Sequence, residues 1–267
     1  MVESNDIISP GAPIFYFIVI TIIYIIFKIS LITSAKLPIE IENKENITYL
    51  GVYSILILIG NYIINTNIVK NNCQTGQVNW FTVFYVTFIP WIFVFGILYI
   101  LLIAFDEWLK PFSNTIGYFI VKLLGAKEIF NNVINDSDNI DENDSNKLLQ
   151  QALINMRQNR MKMINEMSCD QIEFIKFIKQ LHGAGLIKNI FIKNNELNFE
   201  SDDKEKNQLL ELFKLVNVKD EIGKLVWYIL AGLLITTIAY NHILNVECKK
   251  SIEEINKEYE EQVEKNE

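Results

Sequence analysis

Closely spaced acidic side chains are the first chemistry to weigh, and Asp136, Asp138, Asp141 and Asp144 supply four oxygen ligands in one asparagine-rich stretch. A calcium loop also needs a glycine at its centre and a glutamate at its end, because the chain must turn sharply and one carboxylate must bind through both oxygens. Here the central glycine is lacking and the glutamate falls at the wrong place, so the run reads as solvated acid rather than as a metal site. The three cysteines, Cys73, Cys169 and Cys248, are far apart and show no CxxC or Cys/His spacing. They predict neither a zinc site nor a disulfide framework. His182 and His242 are isolated. No Ser/His/Asp set and no glycine-rich phosphate loop stands out, so neither catalytic residues nor a cofactor is expected.

The remaining polar residues of interest sit inside apolar runs. Lys28 lies near the end of the first run, where its four-carbon stem can carry the ammonium out to lipid headgroups; the functional alternative is an ion-path residue. Asn61 and Asn65 are four residues apart and share one helix face, which predicts hydrogen bonds to a neighbouring helix, since an unpaired amide is costly in lipid. Pro90 falls in the middle of the most aromatic run and should bend that helix or loosen one turn. Trp80 and Trp108 bracket the same run, as residues of the two membrane interfaces do.

Those runs are the elements that position everything else. Half of the 267 residues are hydrophobic, and they gather in blocks at Ile14 to Thr33, Leu50 to Val69, Phe81 to Phe105 and Val226 to Leu244. Each is near the roughly 20 residues that carry a helix across a hydrocarbon core of about 30 Å. No basic residue precedes the first block, and its apolar run is too long for a signal peptide, so it is expected to stay in the chain. The fold expected is mainly α: a four-span transmembrane helical protein with a small α+β soluble domain between spans three and four and a helical C-terminal tail. Its parts are an N-terminal segment at 1–13, three spans within 14–105, an interfacial turn and helix at 106–130 and an acidic linker at 131–146. A soluble domain at 147–224, a fourth span at 225–245 and a charged tail at 246–267 complete the chain.

Within 106–130, Ser113, Asn114 and Thr115 are placed to cap a helix from Ile116 to Leu124 that Gly125 would end. Its apolar stripe predicts a helix lying along the membrane surface. In the soluble domain, helices are expected over Lys147 to Met167, Asp170 to His182 and Lys204 to Val216. Alternation around Asn194-Asn195 predicts a hairpin between the last two. Helix, hairpin and helix is the order of a winged-helix module, but the basic face that nucleic acid needs is missing: the net charge is −8, and the only arginines are Arg157 and Arg160. No nucleic-acid partner is expected. In the tail, Ile252, Ile255, Tyr259 and Val263 recur at three- and four-residue steps, a pattern that fits either self-association or a solvated helix.

With four spans, both termini share one side with the loop Lys70 to Trp80. Lys28, Lys36, Lys44, Lys110, Lys122, Lys214, Lys219 and Lys224 fall on the other side, against Lys70, Lys249, Lys250, Lys257 and Lys265 on the terminal side. This bias puts the large domain in the cytosol. The sequons Asn46-Ile47-Thr48, Asn135-Asp136-Ser137 and Asn143-Asp144-Ser145 lie on that same side, and glycans there would invert the orientation.

One region is more specific: Cys73-Gln74-Thr75-Gly76-Gln77, then Thr87-Phe88-Ile89-Pro90-Trp91-Ile92-Phe93-Val94-Phe95-Gly96, then Trp108-Leu109-Lys110-Pro111-Phe112-Ser113-Asn114-Thr115-Ile116-Gly117-Tyr118. It resembles a group of multi-span virion membrane proteins of nucleocytoplasmic large DNA viruses, over roughly Cys73 to Gly125. The chain departs from that group's pattern at Asp106-Glu107, where a Pro-Gly would precede the tryptophan. The resemblance implies a structural protein of the internal virion membrane, derived from host endomembrane, that organises this membrane and links it to capsid or other virion membrane proteins. It transfers no catalytic residue. A channel or transporter lined by Asn61 and Asn65 is the alternative, and a non-catalytic scaffold of an intracellular organelle is a second.

Overall fold

The computed structural model describes residues 11–36, 40, 47–73, 78–135, 147–193, 196–197, 207–246, 248 and 256. The four aspartates weighed for calcium and the apolar repeat of the tail lie outside them. The protein is mainly helical. Four helices are long and apolar enough to cross a membrane: α1 (Ala12–Ser34), α2 (Ile47–Asn72), α3 (Trp80–Ala104) and α8 (Gln208–Leu244). Between α3 and α8 come α4 (110–123), α5 (Ala126–Val133), α6 (Lys147–Gln158), a 3-10 stretch Arg160–Glu166 and α7 (Gln171–Gly183). Contacts divide the chain into two compact units, one of Met1–Tyr24, Ile47–Ala104 and Trp227–Glu267, the other of Ile25–Asn46 and Phe105–Val226.

In the first unit, parts of α1, α2, α3 and α8 enclose an aromatic core. Phe17, Tyr53, Trp91, Phe95 and Tyr228 are buried together, with Phe17 and Trp91 ring centres 5.4 Å apart and Phe95 and Tyr228 5.2 Å apart. Thr21 Oγ1 donates to Phe17 O at 2.7 Å, which leaves it to accept the Tyr53 hydroxyl at 2.8 Å. Gly232 admits the Phe17 ring, since a Cβ there would stand 2.0 Å from it. A second cluster holds Ile68, Val69, Cys73, Val78, Val83 and Ile243. The outward faces of these helices are apolar as well: Phe15 is 71% exposed and Phe81 67%.

Asn79 caps α3 by accepting from Thr82 N. Pro90 does not break the helix. It has no N–H to give, and the turn after it, Trp91–Phe95, widens into a π-helix before α-helix resumes at Gly96. The loosened turn expected from the sequence is therefore present.

Three features of the second unit correct the sequence expectations. First, the α+β domain is not supported: among the described residues the ladder of the expected hairpin is Ile192↔Leu197 and Lys193↔Glu196. Two pairs cannot form a layer. The buried residues come from helices and their connections, with Phe174 and Phe213 ring centres 4.9 Å apart. Second, the soluble helix ending at Val216 and the span beginning at Val226 are one helix, α8. Lys214 and Lys224 pair with Glu211 and Glu221 along it, each at 2.8 Å, so the charged stretch continues the helix instead of ending it. Third, α4 starts at Lys110, before Ser113, Asn114 and Thr115, so these residues lie within the helix and are not its cap. Gly125 does end it, with φ of +93°. Helix α5 then runs to Val133, and Ile134 bridges Ile187, so residues 131–134 of the region read as an acidic linker pack with the second unit.

The cysteine expectation is also corrected: Cys73 and Cys248 form a disulfide, with Cα atoms 5.7 Å apart across 175 residues of sequence. Cys169 takes no part in a disulfide.

Candidate functional site

The motif region Lys110 to Gly117 forms one wall of a polar recess. Pro111 occupies the first turn of α4, where a missing N–H costs nothing. Ser113–Gly117 is π-helical, which shifts the side chains of this turn relative to an α-helix. Two glycines let α4 and the first half of α8 touch backbone to backbone. A Cβ on Gly117 would stand 2.3 Å from Lys219 O, and one on Gly223 would stand 2.9 Å from Ser113 N.

This close approach assembles a polar network. Ser113 Oγ donates to Asp220. Lys219 is 2% exposed, and its Nζ donates to Asn114 Oδ1 at 3.1 Å and to Ile164 O at 3.0 Å, with Asp220 Oδ1 at 3.6 Å. Lys219 precedes the apolar run that begins at Val226, and burial pushes its ammonium below the usual lysine range while Asp220 pulls it back up. The network lines a cavity of about 570 Å³, whose far wall comes from the 3-10 stretch and the start of α7 through Asn165, Glu166, Cys169 and Asp170. Asn165 Oδ1 is buried there without a partner. Asp170 is committed as the cap of α7, accepting from Glu173 N at 2.8 Å. Glu107 is paired with Lys110 at 2.7 Å. The serine hydroxyl faces a carboxylate that an ammonium already neutralises, so this arrangement ties helices together and leaves a polar recess. His182 is engaged with Asn189 at 2.9 Å. Among the described residues no group of His, Cys, Asp and Glu is placed to hold a metal ion.

No family model, curated protein or solved structure matches this chain.

The other sequence-selected residues are not brought to this recess. Asn61 and Asn65 are buried in the first unit, 1% and 2% exposed. Asn65 makes the expected interhelical bond, Nδ2 to Thr87 Oγ1 at 2.9 Å. Asn61 does not: its Nδ2 donates to Ile57 O of its own helix at 3.0 Å. The Oδ1 atoms of both are buried without partners, as is Trp91 Nε1. Trp91 lines a separate apolar cavity of about 210 Å³ with Tyr53, Ile57 and Phe95. Lys28 is buried. Trp80 and Trp108 are both exposed, as are Thr115 and Pro111, while Phe112 and Tyr118 are half-buried.

Sequence reasoning selected Ser113, Asn114 and Gly117 but gave them no partners. Asp220 and Asn165 belong to no sequence motif, and Lys219 enters the sequence reading only as a charge. The available signal was the run Lys219-Asp220-Glu221 inside an otherwise helical, largely apolar stretch.

Proposed function

We propose that this chain is a structural integral membrane protein of a virus particle, with α1, α2, α3 and the apolar half of α8 embedded in the internal virion membrane. The segment between α3 and α8 would link that membrane to capsid or to other virion membrane proteins. The observation that carries the membrane reading is the apolar outer surface of the four long helices, which water would not tolerate at such extent. The virion reading rests on the resemblance at Cys73 to Gly125. The use of the motif supports a structural role: Ser113, Asn114 and Gly117 clamp α4 to α8.

The face of the 105–124 segment that carries Phe105, Trp108, Ile116, Phe119 and Leu123 is exposed and apolar, which fits a surface lying in the headgroup layer. A conduit would draw on Asn61 and Asn65, and the amide nitrogens of both are engaged within the helix bundle.

Quantitative proteomics of purified particles tests the reading. The protein is expected in many copies, retained in high salt and released by detergent. Its absence from purified particles would sink the virion assignment, while extraction by alkaline carbonate would sink the membrane one.

A further inference from the structure

We infer that the Cys73–Cys248 bridge fixes which way this chain faces: the connection between α2 and α3 and the end of α8 lie in an oxidising compartment, and the segment between α3 and α8 faces a reducing one. The inference rests on the membrane reading above, though not on the virion assignment.

Cys73 follows the last residue of α2, and Cys248 follows the end of α8 at Leu244. Two cysteines can join only if they share a side, so the chain between them must cross the membrane an even number of times. The long apolar helices α3 and α8 supply two crossings. The stretch 110–123 would reach only about 21 Å as a helix, short of a hydrocarbon core of about 30 Å, so it adds no third. Disulfides persist where the surroundings are oxidising and are rare in cytosol. Cys169 is one crossing away from Cys73 and so lies on the side opposite the bridge. The lysine bias independently puts the segment containing Cys169 in the cytosol. The three sequons on that side should then carry no glycan, because glycans are added on the oxidising side.

The bridge forms by exchange with a protein dithiol–disulfide oxidant. The Cys73 thiolate attacks one sulfur of the oxidant's disulfide, giving a mixed disulfide and releasing one thiolate. The Cys248 thiolate then attacks Cys73 Sγ and displaces the second. Two protein thiols are oxidised, one disulfide is reduced to two thiols, and the two protons end on those thiols. The product joins the connection after α2 to the chain after α8, closing one end of the first unit.

Sealed microsomes carrying the full chain, cytosolic face outward, provide the test. Maleimide labelling of the denatured, unreduced protein should count one free thiol, rising to three after reduction. On intact vesicles, a membrane-impermeant maleimide should label Ile172→Cys in a Cys169→Ser background, since residue 172 is 73% exposed. It should reach Cys73 and Cys248 only after detergent and reductant. Endoglycosidase should cause no mobility shift. Three free thiols without reduction, a glycan at any of the three sequons, or labelling of Cys73 and Cys248 from outside after a permeant reductant would each overturn the assignment. Alkaline carbonate extraction of the same vesicles separates this failure from failure of the membrane reading: a retained protein with the wrong labelling pattern refutes only the sidedness.

Discussion

Asn61 and Asn65 lie one turn apart and are equally buried, yet they do different work. Asn65 spans from α2 to α3, whereas Asn61 bonds within α2. Thr87→Val should therefore destabilise the helix bundle by about 0.5–2 kcal/mol, the range for interhelical hydrogen bonds in membranes, and Asn61→Leu should be neutral or stabilising because it removes a buried oxygen without a partner. Unfolding in mixed micelles with a graded denaturing detergent would measure both, and equal losses at the two sites would contradict this division. Lys219 is the more consequential single residue. Lys219→Ala strips Asn114 Oδ1 and Ile164 O of their donor and leaves Asp220 without its counter-charge, for a cost of about 3–5 kcal/mol. Asp220→Asn, which keeps a group able to accept from Ser113, should cost less; the order is checked by thermal unfolding of the detergent-solubilised protein. The spacing of the two asparagines made a shared face legible in the sequence. Which of them finds a partner depends on Thr87, 22 residues on, and no local pattern encodes that. Lys219 was illegible as a site residue for the same reason: its partners stand on α4 and on the 3-10 stretch.

Among the elements, the long apolar helices were legible because length and hydropathy are properties of a segment by itself. Their ends were less so. The charged stretch from Lys214 to Lys224 interrupts the apolar run, which is what a span boundary looks like, but Lys, Glu and Leu all favour helix and the charges pair at three-residue steps. Helix α8 therefore continues for 37 residues, about 55 Å, nearly twice the thickness of a hydrocarbon core. The α+β expectation failed in the opposite way: among the described residues a good hairpin signal at 194–195 yields a two-pair ladder, and the buried residues around it pack helix against helix. Ser113, Asn114 and Thr115 look like caps in sequence, but the close approach of α4 to α8 employs two of them as side-chain partners. That seam has little tolerance. Gly117→Val would drive a side chain into the Lys219 carbonyl, and forcing α4 away from α8 should cost about 1–3 kcal/mol or more and break the Ser113 and Asn114 bonds together. Hydrogen exchange should then show faster opening of α4 and of residues 208–224, with the 80–104 helix unchanged; protection equal to that of the parent protein would refute the seam.

For the whole chain, the feature hardest to foresee was the disulfide. Spacing rules for cysteine assume local frameworks, and 175 residues separate this pair. In a chain that crosses a membrane, positions remote in sequence return to the same face every second crossing, so parity rather than spacing decides which cysteines can meet. Parity was available from the sequence once four spans were counted; the closeness of the two helix ends was not. A chain-entropy estimate for a closed loop of this length gives about 5 kcal/mol, an upper bound for helices that a membrane would already confine before the bridge forms. The linkage has a direct physical signature. A protease site inserted between Asp138 and Asn139 and cleaved in the detergent-solubilised protein divides the chain into a piece carrying Cys73 and a piece carrying Cys248. Without reductant the cut protein should still migrate near its full 31.1 kDa under denaturing conditions, and with reductant it should separate into two fragments of roughly equal size. Cys73→Ser should separate into the same fragments with or without reductant, because no other disulfide joins the described cysteines. If the parent protein separates before reduction, the two ends are not covalently joined, and nothing then requires Cys73 and Cys248 to share one side of the membrane.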